Sequence, residues 1–489
     1  MPQAGEEEPW QALVAKLVAR PDFWQDALTL KAYAATGAAS LAWDALSNKV
    51  ILLRMLLPEV AQIIAVGQAG IVGLLTWSSP RVRQTLLGKA LLLLNVIGIG
   101  LHLKRIRVSL QSGPAFQRAL QDAGIKDMQS PLVPMLLALM FPLRNFLGEK
   151  GQNLQRTSAA YASIEEIDPE LVAWHERLPE TAKKVNLRVG RGLIPKWMSL
   201  DVVARTNLDS KRPVPALLYI HGGAWVLGDR KFSARAFVEH LATHHDVVVF
   251  VINYRLAPEA RYPSQLHDCK RALAWIKSNG HEYGADPSRC FVAGESAGGH
   301  LTSLMAITAN NPDYNPPEFT GDEDTSVVGA IDIYGVHDIL DSERHHARNS
   351  AQQNNRKLRE DVTPTLVRLW ERVVFGKPLS DHGDAFEDAS PAHILVSKRD
   401  ELVSVCPFLV IHGTNDVLAA FDDSRAFFSR LQEVRKATKS AVKDIFVELE
   451  GADHGFGYVP SPRTVSMSLA VAAFMDHHIE LAHAGSSRL

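Results

Sequence analysis

From about Lys184 onward, short uninterrupted apolar runs alternate with amphipathic segments, and this rhythm restricts the fold more than any other feature of the chain. The runs are PALLYI (215–220), VVVFVI (247–252), CFVAG (290–294), VVGAIDIY (327–334), PFLVIH (407–412) and DIFVELE (444–450). A strand that is apolar on both sides must be covered on both faces, as interior strands of a parallel sheet are. VNLRVGR (185–191) and MSLDVVART (198–206) instead alternate apolar with polar, as half-buried strands do. ARAFVEHLATHH, CKRALAWIKSNG, SRAFFSRLQEVRKA and VSMSLAVAAFMDHHIELA read as the intervening helices. Strand–helix alternation of this length implies right-handed βαβ crossovers. The expectation is an α/β domain over residues 184–489. Its polar excursion at about 310–397, with one strand and one good helix near Pro364–Phe375, is expected to form a substrate cap.

Several strand ends in this domain carry chemistry. The run CFVAG leads directly into Gly294-Glu295-Ser296-Ala297-Gly298-Gly299, which opens the helical stretch HLTSLMAITAN. A strand that turns sharply into a helix holds Ser296 proud of the sheet, in the arrangement of a nucleophile elbow. Behind PALLYI comes His221-Gly222-Gly223-Ala224-Trp225. Acyl transfer develops an oxyanion that backbone N–H groups stabilise. Gly222 and Gly223 let the main chain approach a substrate carbonyl, Ala297 follows the nucleophile, and Ala224 offers a further donor. His221 reads as a residue that holds this loop by hydrogen bonds.

A serine needs a base, and the base needs an orienting acid. Asp416, in His412-Gly413-Thr414-Asn415-Asp416, lies just past the strand PFLVIH; Asp422 and Asp423 fall in the following helix. His454, in Gly451-Ala452-Asp453-His454-Gly455-Phe456, follows the last strand. The order Ser296, Asp416, His454 is the order of an α/β-hydrolase triad. Asp453 reads as a turn residue, since adjacency in sequence does not orient a ring nitrogen.

The N-terminal part is different in texture. Val60–Trp77 carries no charged residue over 18 positions, close to the ~20 residues of a bilayer-spanning helix. SSPRVRQ and Lys89 separate it from a second apolar run, Ala90–Leu103, closed by Lys104, Arg105 and Arg107. The second run is short for a span and suits a tilted or interfacial helix. Residues 1–125 are therefore expected to be an all-helical region that associates with a membrane through residues 50–105. A third apolar patch, Pro131–Gly148, is broken by Pro134 and Pro142. It belongs to a linker at 126–183 expected to contribute helices to the cap. The acidic start MPQAGEEEPW has no basic n-region and is not expected to be a cleavable signal.

Composition removes other classes of function. A formal net charge of -2 gives no broad basic surface for nucleic acid. Three scattered cysteines, Cys269, Cys290 and Cys406, do not make a disulfide framework and fit a reducing compartment. No Cys/His cluster has metal-ligand spacing, so no metal or organic cofactor is expected.

HGGAW, Asn253-Tyr254-Arg255-Leu256-Ala257-Pro258-Glu259, Tyr262-Pro263, GESAGGHL, HGTNDVL and DHGF stand together in the order of the hormone-sensitive-lipase family of α/β hydrolases, which the chain resembles over about residues 184–480. The resemblance implies a mostly parallel eight-stranded sheet with helices on both faces and a helical cap. It also implies activity on carboxylic esters, with Ser296, Asp416 and His454 catalytic and Gly222, Gly223, Ala224 and Ala297 at the oxyanion. Relatives include bacterial carboxylesterases and membrane-anchored arylacetamide deacetylases. Two departures are Ala224, where many members have a third Gly, and Glu295, where many have Asp. A backbone donor survives the first change. Arg255 and Glu259 read as structural anchors. The expected function is a serine esterase or lipase acting on a small-molecule ester or lipid, delivered from the membrane. The alternatives are an acyltransferase on the same triad and a non-catalytic ligand receptor on the same scaffold. The sequence does not indicate an oligomeric state.

Overall fold

The computed structural model describes residues 61–130, 154–177, 197–340 and 365–486, with short gaps, and Met135. The chain divides into two compact units, Met1–Val108 and Ser109–Leu489. In the first, the second apolar run lies within one continuous 25-residue helix, α1 (Leu86–Leu110), longer than the run alone suggests. Described residues of the first run are also helical, and Gln68 Nε2 donates to Asn95 Oδ1 on α1 at 3.1 Å. The expectation for residues 1–60, and most of that for the patch at 131–148, lies outside the described residues.

The second unit holds eight strands: β1 (Leu154–Ser163), β2 (Trp197–Arg205), β3 (Val214–Ile220), β4 (Val248–Ile252), β5 (Ala285–Glu295), β6 (Gly329–Ile333), β7 (Phe408–Gly413) and β8 (Ile445–Leu449). They lie in the order β1-β2-β4-β3-β5-β6-β7-β8. β1/β2 and β2/β4 are antiparallel, and every other pair is parallel. The apolar runs form the interior: every residue of β3, β4, β6 and β7 is buried. Side chains alternate across the sheet. Leu218 and Ile220 meet one core, shared with Leu266, Leu273, Leu301, Leu304, Phe427 and Leu431. Leu217 and Tyr219 meet the other, shared with Phe237, Leu241, Val471 and Phe474.

The helices sort accordingly. α2 (Ser112–Asp122), α4 (Arg235–His244) and α10 (Pro462–Ser486) cover the second face. α5 (Ser264–Asn279), α6 (Ala297–Ile307) and α9 (Phe421–Ala437) cover the first. The remaining described helices of note are α3 (Pro169–Arg177), α7 (Gly383–Glu387) and α8 (Pro391–Ser397).

Two boundaries differ from the sequence reading. The sheet begins at Leu154, inside the stretch expected to be a linker of helices, because β1 pairs with β2 from Leu154↔Arg205 to Ser163↔Trp197. α2, expected to belong to the N-terminal region, is part of the second unit: Phe116 and Leu120 are completely buried in its core. Burying such side chains stabilises by about 1.5–3 kcal/mol each. The expected strand at 185–191 lies outside the described residues. The excursion at 310–397 contains β6 and the short helices α7 and α8, and residues 341–364 are outside the described set. Near its end, a helical segment passes into a π-turn at Trp370–Val374. There Trp370 packs edge-on against Trp225, their ring centroids 6.3 Å apart.

Candidate active site

Four loops converge at the carboxyl ends of the parallel strands β3, β5, β7 and β8, where open α/β sheets hold their ligands. Ser296 sits between β5 and α6 with φ 55° and ψ −119°, a conformation that costs a non-glycine residue about 1–3 kcal/mol. Its N–H donates to the Ile333 carbonyl of β6 at 3.0 Å, which holds the turn against the sheet. α6 then packs so closely on β3 that a Cβ at Gly298 would overlap the Ile220 carbonyl oxygen. That contact explains glycine at the second flank of the elbow.

The structure brings Ser296, His454 and Asp416 together. His454 Nε2 lies 2.8 Å from Ser296 Oγ, and His454 Nδ1 lies 2.7 Å from Asp416 Oδ2. Asp416 is completely buried, and its Oδ1 accepts the N–H groups of Leu418 and Ala419 at 2.9 Å each. Burial disfavours the carboxylate, yet the adjacent His454 and His412 outweigh it and hold the Asp416 pKa well below the usual carboxylate range. Burial likewise opposes an imidazolium at His454, but the Asp416 charge prevails and raises its pKa. Asp453, next to it in the chain, is buried as well. Its carboxylate accepts the backbone N–H of His454 at 2.9 Å, which fixes the loop. Asp423 lies on α9, is buried, and accepts the backbone N–H of His337 at 2.7 Å.

The glycine-rich loop lies beside the serine. A Cβ on Gly222 would come within 3.2 Å of Ser296 Cβ and 2.9 Å of the Glu295 carbonyl. Gly223 has φ 122°, and Ala224 and Trp225 have φ 53° and 62°. This left-handed run curls the loop so that the carbonyl of Gly223 accepts the N–H groups of Val226 and Leu227. Ala297 is the first residue of α6, and first-turn N–H groups have no carbonyl of their own helix to pair with. His221 is buried, stacks on Tyr254 at 4.3 Å and lies 2.7 Å from the Gly222 carbonyl through Nδ1. Its burial pushes its pKa down to about 4, so it is neutral. Arg255 is tied to Asp268 and Asp168 at 2.7–3.2 Å.

Neither Glu295, noted above only as a departure from the family pattern, nor His412 has a role at the site in the sequence reading. Glu295 is buried, and the Tyr334 hydroxyl donates to its Oε2 at 2.8 Å. The Tyr334 ring also packs 4.8 Å from that of His454. His412 Nε2 lies 3.2 Å from Asp416 Oδ2, on the oxygen that His454 uses. A carboxylate inside a serine motif and a histidine four residues before an acid were the available signals, but only the fold gives them partners.

Residues 217–457 match the family model described as alpha/beta hydrolase fold. This stretch is an α/β-hydrolase domain. It is the fold that the motifs indicated. LipM of Mycobacterium tuberculosis, a probable carboxylic ester hydrolase, is 34% identical over 288 residues, 59% of this chain and 60% of that protein. Esterase LipC of the same organism is 35% identical over 277 residues, 57% of this chain and 61% of that protein. Rabbit (Oryctolagus cuniculus) arylacetamide deacetylase is 43% identical over 93 residues, 18% of this chain and 23% of that protein. The alignments to the two mycobacterial proteins thus span about three fifths of their length.

Proposed function

We propose that this α/β hydrolase is a serine carboxylic-ester hydrolase working through an acyl-enzyme. The observation that carries the reading is the single imidazole of His454 bridging Ser296 Oγ and the buried Asp416 carboxylate. Neutral His454 takes the serine proton through Nε2, and Ser296 attacks the ester carbonyl. The N–H groups of Gly222, Gly223, Ala224 and Ala297 serve the oxyanion. Asp416 keeps the proton of His454 on Nδ1 and stabilises the imidazolium. His454 then protonates the leaving alcohol, and water enters by the same base to release the acid. The esterase names of the mycobacterial relatives support this class of substrate.

We further propose that the chain associates with a membrane through the region around residues 50–105, so that apolar esters arrive from lipid. α1 supports this: Leu86, Leu87, Leu93, Val96, Ile97 and Leu103 are all exposed. Its length and hydropathy fit the dimensions of a bilayer.

The test is hydrolysis of nitrophenyl esters from acetate to palmitate by the full chain in detergent, beside Ser296→Ala. Turnover that vanishes in Ser296→Ala supports the esterase, and the preferred chain length separates carboxylesterase from lipase. Turnover that survives the substitution, or none on any ester, rejects it. Co-sedimentation of the full chain with phosphatidylcholine vesicles tests the membrane reading, which fails if the protein stays in the supernatant.

A further inference from the structure

The chemistry proposed above uses Asp416 only through His454, yet the acid is gripped from its other side as well. His412 Nε2 is 3.2 Å from Asp416 Oδ2 and 3.1 Å from the Ala419 carbonyl. A carbonyl can only accept, so this nitrogen carries a hydrogen. His412 Nδ1 lies 2.6 Å from Ser424 Oγ. Asp332 presses His337 beyond it toward its charged form, so the Ser424 hydroxyl receives from His337 and gives its own proton to His412 Nδ1. Ser424 Oγ also lies 3.3 Å from His337 Nδ1, which must then be the donor. The other nitrogen of His337 bonds to Asp332 Oδ2, an oxygen that also accepts from Ser303 Oγ at 2.6 Å. Both nitrogens of His337 therefore carry hydrogen, and the Asp332 carboxylate balances the imidazolium. His337, Asp332, Ser424, His412 and Asp416 are all completely buried. Every donor in this relay meets an acceptor, and the His412 Nε2–H lies between the Ala419 carbonyl and Asp416 Oδ2.

We infer that His412 is a positioning residue for Asp416, fixed in its donating tautomer by a buried relay that runs through Ser424 to a second histidine–aspartate pair, His337 and Asp332. The claim rests on the triad reading above. His412 fills the second approach to Asp416 Oδ2, so the carboxylate cannot rotate away from His454 Nδ1. It also shares the negative charge of Asp416, which restrains the pull of that charge on the His454 proton. The other groups facing His454 are Asp453 and Glu295. Those facing His337 are Asp332, Asp423, Asp338 and, near Asp332, His300. Arg430 pairs with Asp338 at 3.3 Å.

The experiment compares wild type, Ser296→Ala, His412→Leu, His412→Gln and Ser424→Ala on nitrophenyl butyrate, from about pH 5 to 9, with a thermal melt of each variant. His412→Leu is expected to lower kcat about 30-fold with KM nearly unchanged, and to move the acid limb of kcat/KM upward by roughly half a pH unit. His412→Gln can place its amide N–H where the ring Nε2–H stood and should recover most of both. Ser424→Ala removes only the hydroxyl and should lower kcat about 5-fold, in the range of one lost buried hydrogen bond. A folded His412→Leu with wild-type kcat and an unshifted limb would overturn the inference, as would equal losses in the Leu and Gln variants. If His412→Leu does not fold, an unchanged kcat in Ser424→Ala overturns it. If Ser296→Ala matches wild type, the triad reading itself fails and the positioning role falls with it.

Discussion

Replacing Asp416 by Asn tests the acid–base arm most severely, because the change is nearly isosteric. The N–H groups of Leu418 and Ala419 approach this carboxylate at Oδ1, and the rings of His454 and His412 approach it at Oδ2. An amide offers one acceptor oxygen and one NH₂. With the oxygen at the Oδ2 side, the NH₂ confronts two backbone N–H groups that cannot adapt. With the oxygen at the Oδ1 side, the NH₂ confronts His412 and His454, and His454 can adapt by moving its proton to Nε2. Leaving a buried donor unpaired costs about 1–3 kcal/mol, so the second arrangement, with fewer such conflicts, is favoured. His454 then presents Nε2–H to Ser296 Oγ and cannot take its proton. Fixing the wrong tautomer in a Ser–His–Asp enzyme lowers kcat by about 10⁴-fold, which is roughly 5.4 kcal/mol of barrier at about 1.36 kcal/mol per decade. The assay is kcat and kcat/KM for a nitrophenyl ester, with a thermal melt to show that the fold persists. The acid limb should also move down in pH, since burial disfavours the imidazolium and the compensating charge is gone. A folded Asp416→Asn within tenfold of wild type, with an unmoved acid limb, would refute the reasoning.

Other outcomes follow from single contacts. In wild type, kcat/KM should rise with pH through a limb above the ordinary histidine value of about 6.5, because Asp416 raises the His454 pKa. The same pair stabilises the fold most fully below that ordinary value. The stability is lost as pH rises through the raised one, so melting temperatures measured across this window should decline where activity appears. Gly298→Ala places a Cβ on the Ile220 carbonyl oxygen, so strand and helix must separate. A cost of about 2–4 kcal/mol is expected, seen as a lower melting temperature and a loss of turnover together. Tyr334→Phe strips a donor from the buried Glu295 carboxylate, which should destabilise by about 1–3 kcal/mol while leaving kcat within an order of magnitude.

The elbow, the glycine loop, Asp416 and His454 were readable because each sits at the end of an apolar strand, and strand ends announce themselves in sequence. Interior strands such as β3 and β7 are apolar at nearly every position, so their limits are sharp. β1 was not readable. LQRTSAAYAS is a sheet-edge strand whose residues are mostly half-buried or exposed, with alanines and polar groups on both sides. Nothing in it alternates strongly enough to separate a strand from a helix. The relay behind Asp416 was hidden for another reason. Ser424 lies 87 positions from His337, and Asp332 lies 29 from Ser303. Buried polar partners at such separations leave no local pattern, and only the packing of α9 and α6 on the sheet unites them. His412 looked like a strand residue because it is also one, next to last in β7.

The misplaced start of the sheet has a consequence that a shortened chain can check. A chain beginning at Lys184 contains every sequence motif of the family and all of the proposed site residues. It lacks β1, which pairs with β2 along its whole length. It also lacks two of the three side chains that bind the buried carboxylate of Asp201. Arg156 donates to Asp201 Oδ2 at 3.1 Å, and Ser158 and Arg230 donate to Oδ1 at 2.7 Å each. Those partners hold the Asp201 pKa low against its burial, and only Arg230 would remain. The Tyr161 hydroxyl, which donates to the carbonyl of Asn253 behind the glycine loop, would go as well. Breaking a buried ion pair costs about 3–5 kcal/mol, and β2 would become an exposed edge open to pairing with other chains. A chain beginning at Ser109 keeps all of these contacts. The expectation is a soluble, esterase-active protein from Ser109 and an aggregating or low-melting one from Lys184, compared by size-exclusion chromatography and thermal unfolding. Equal melting temperatures would mean that β1 covers the sheet without holding it.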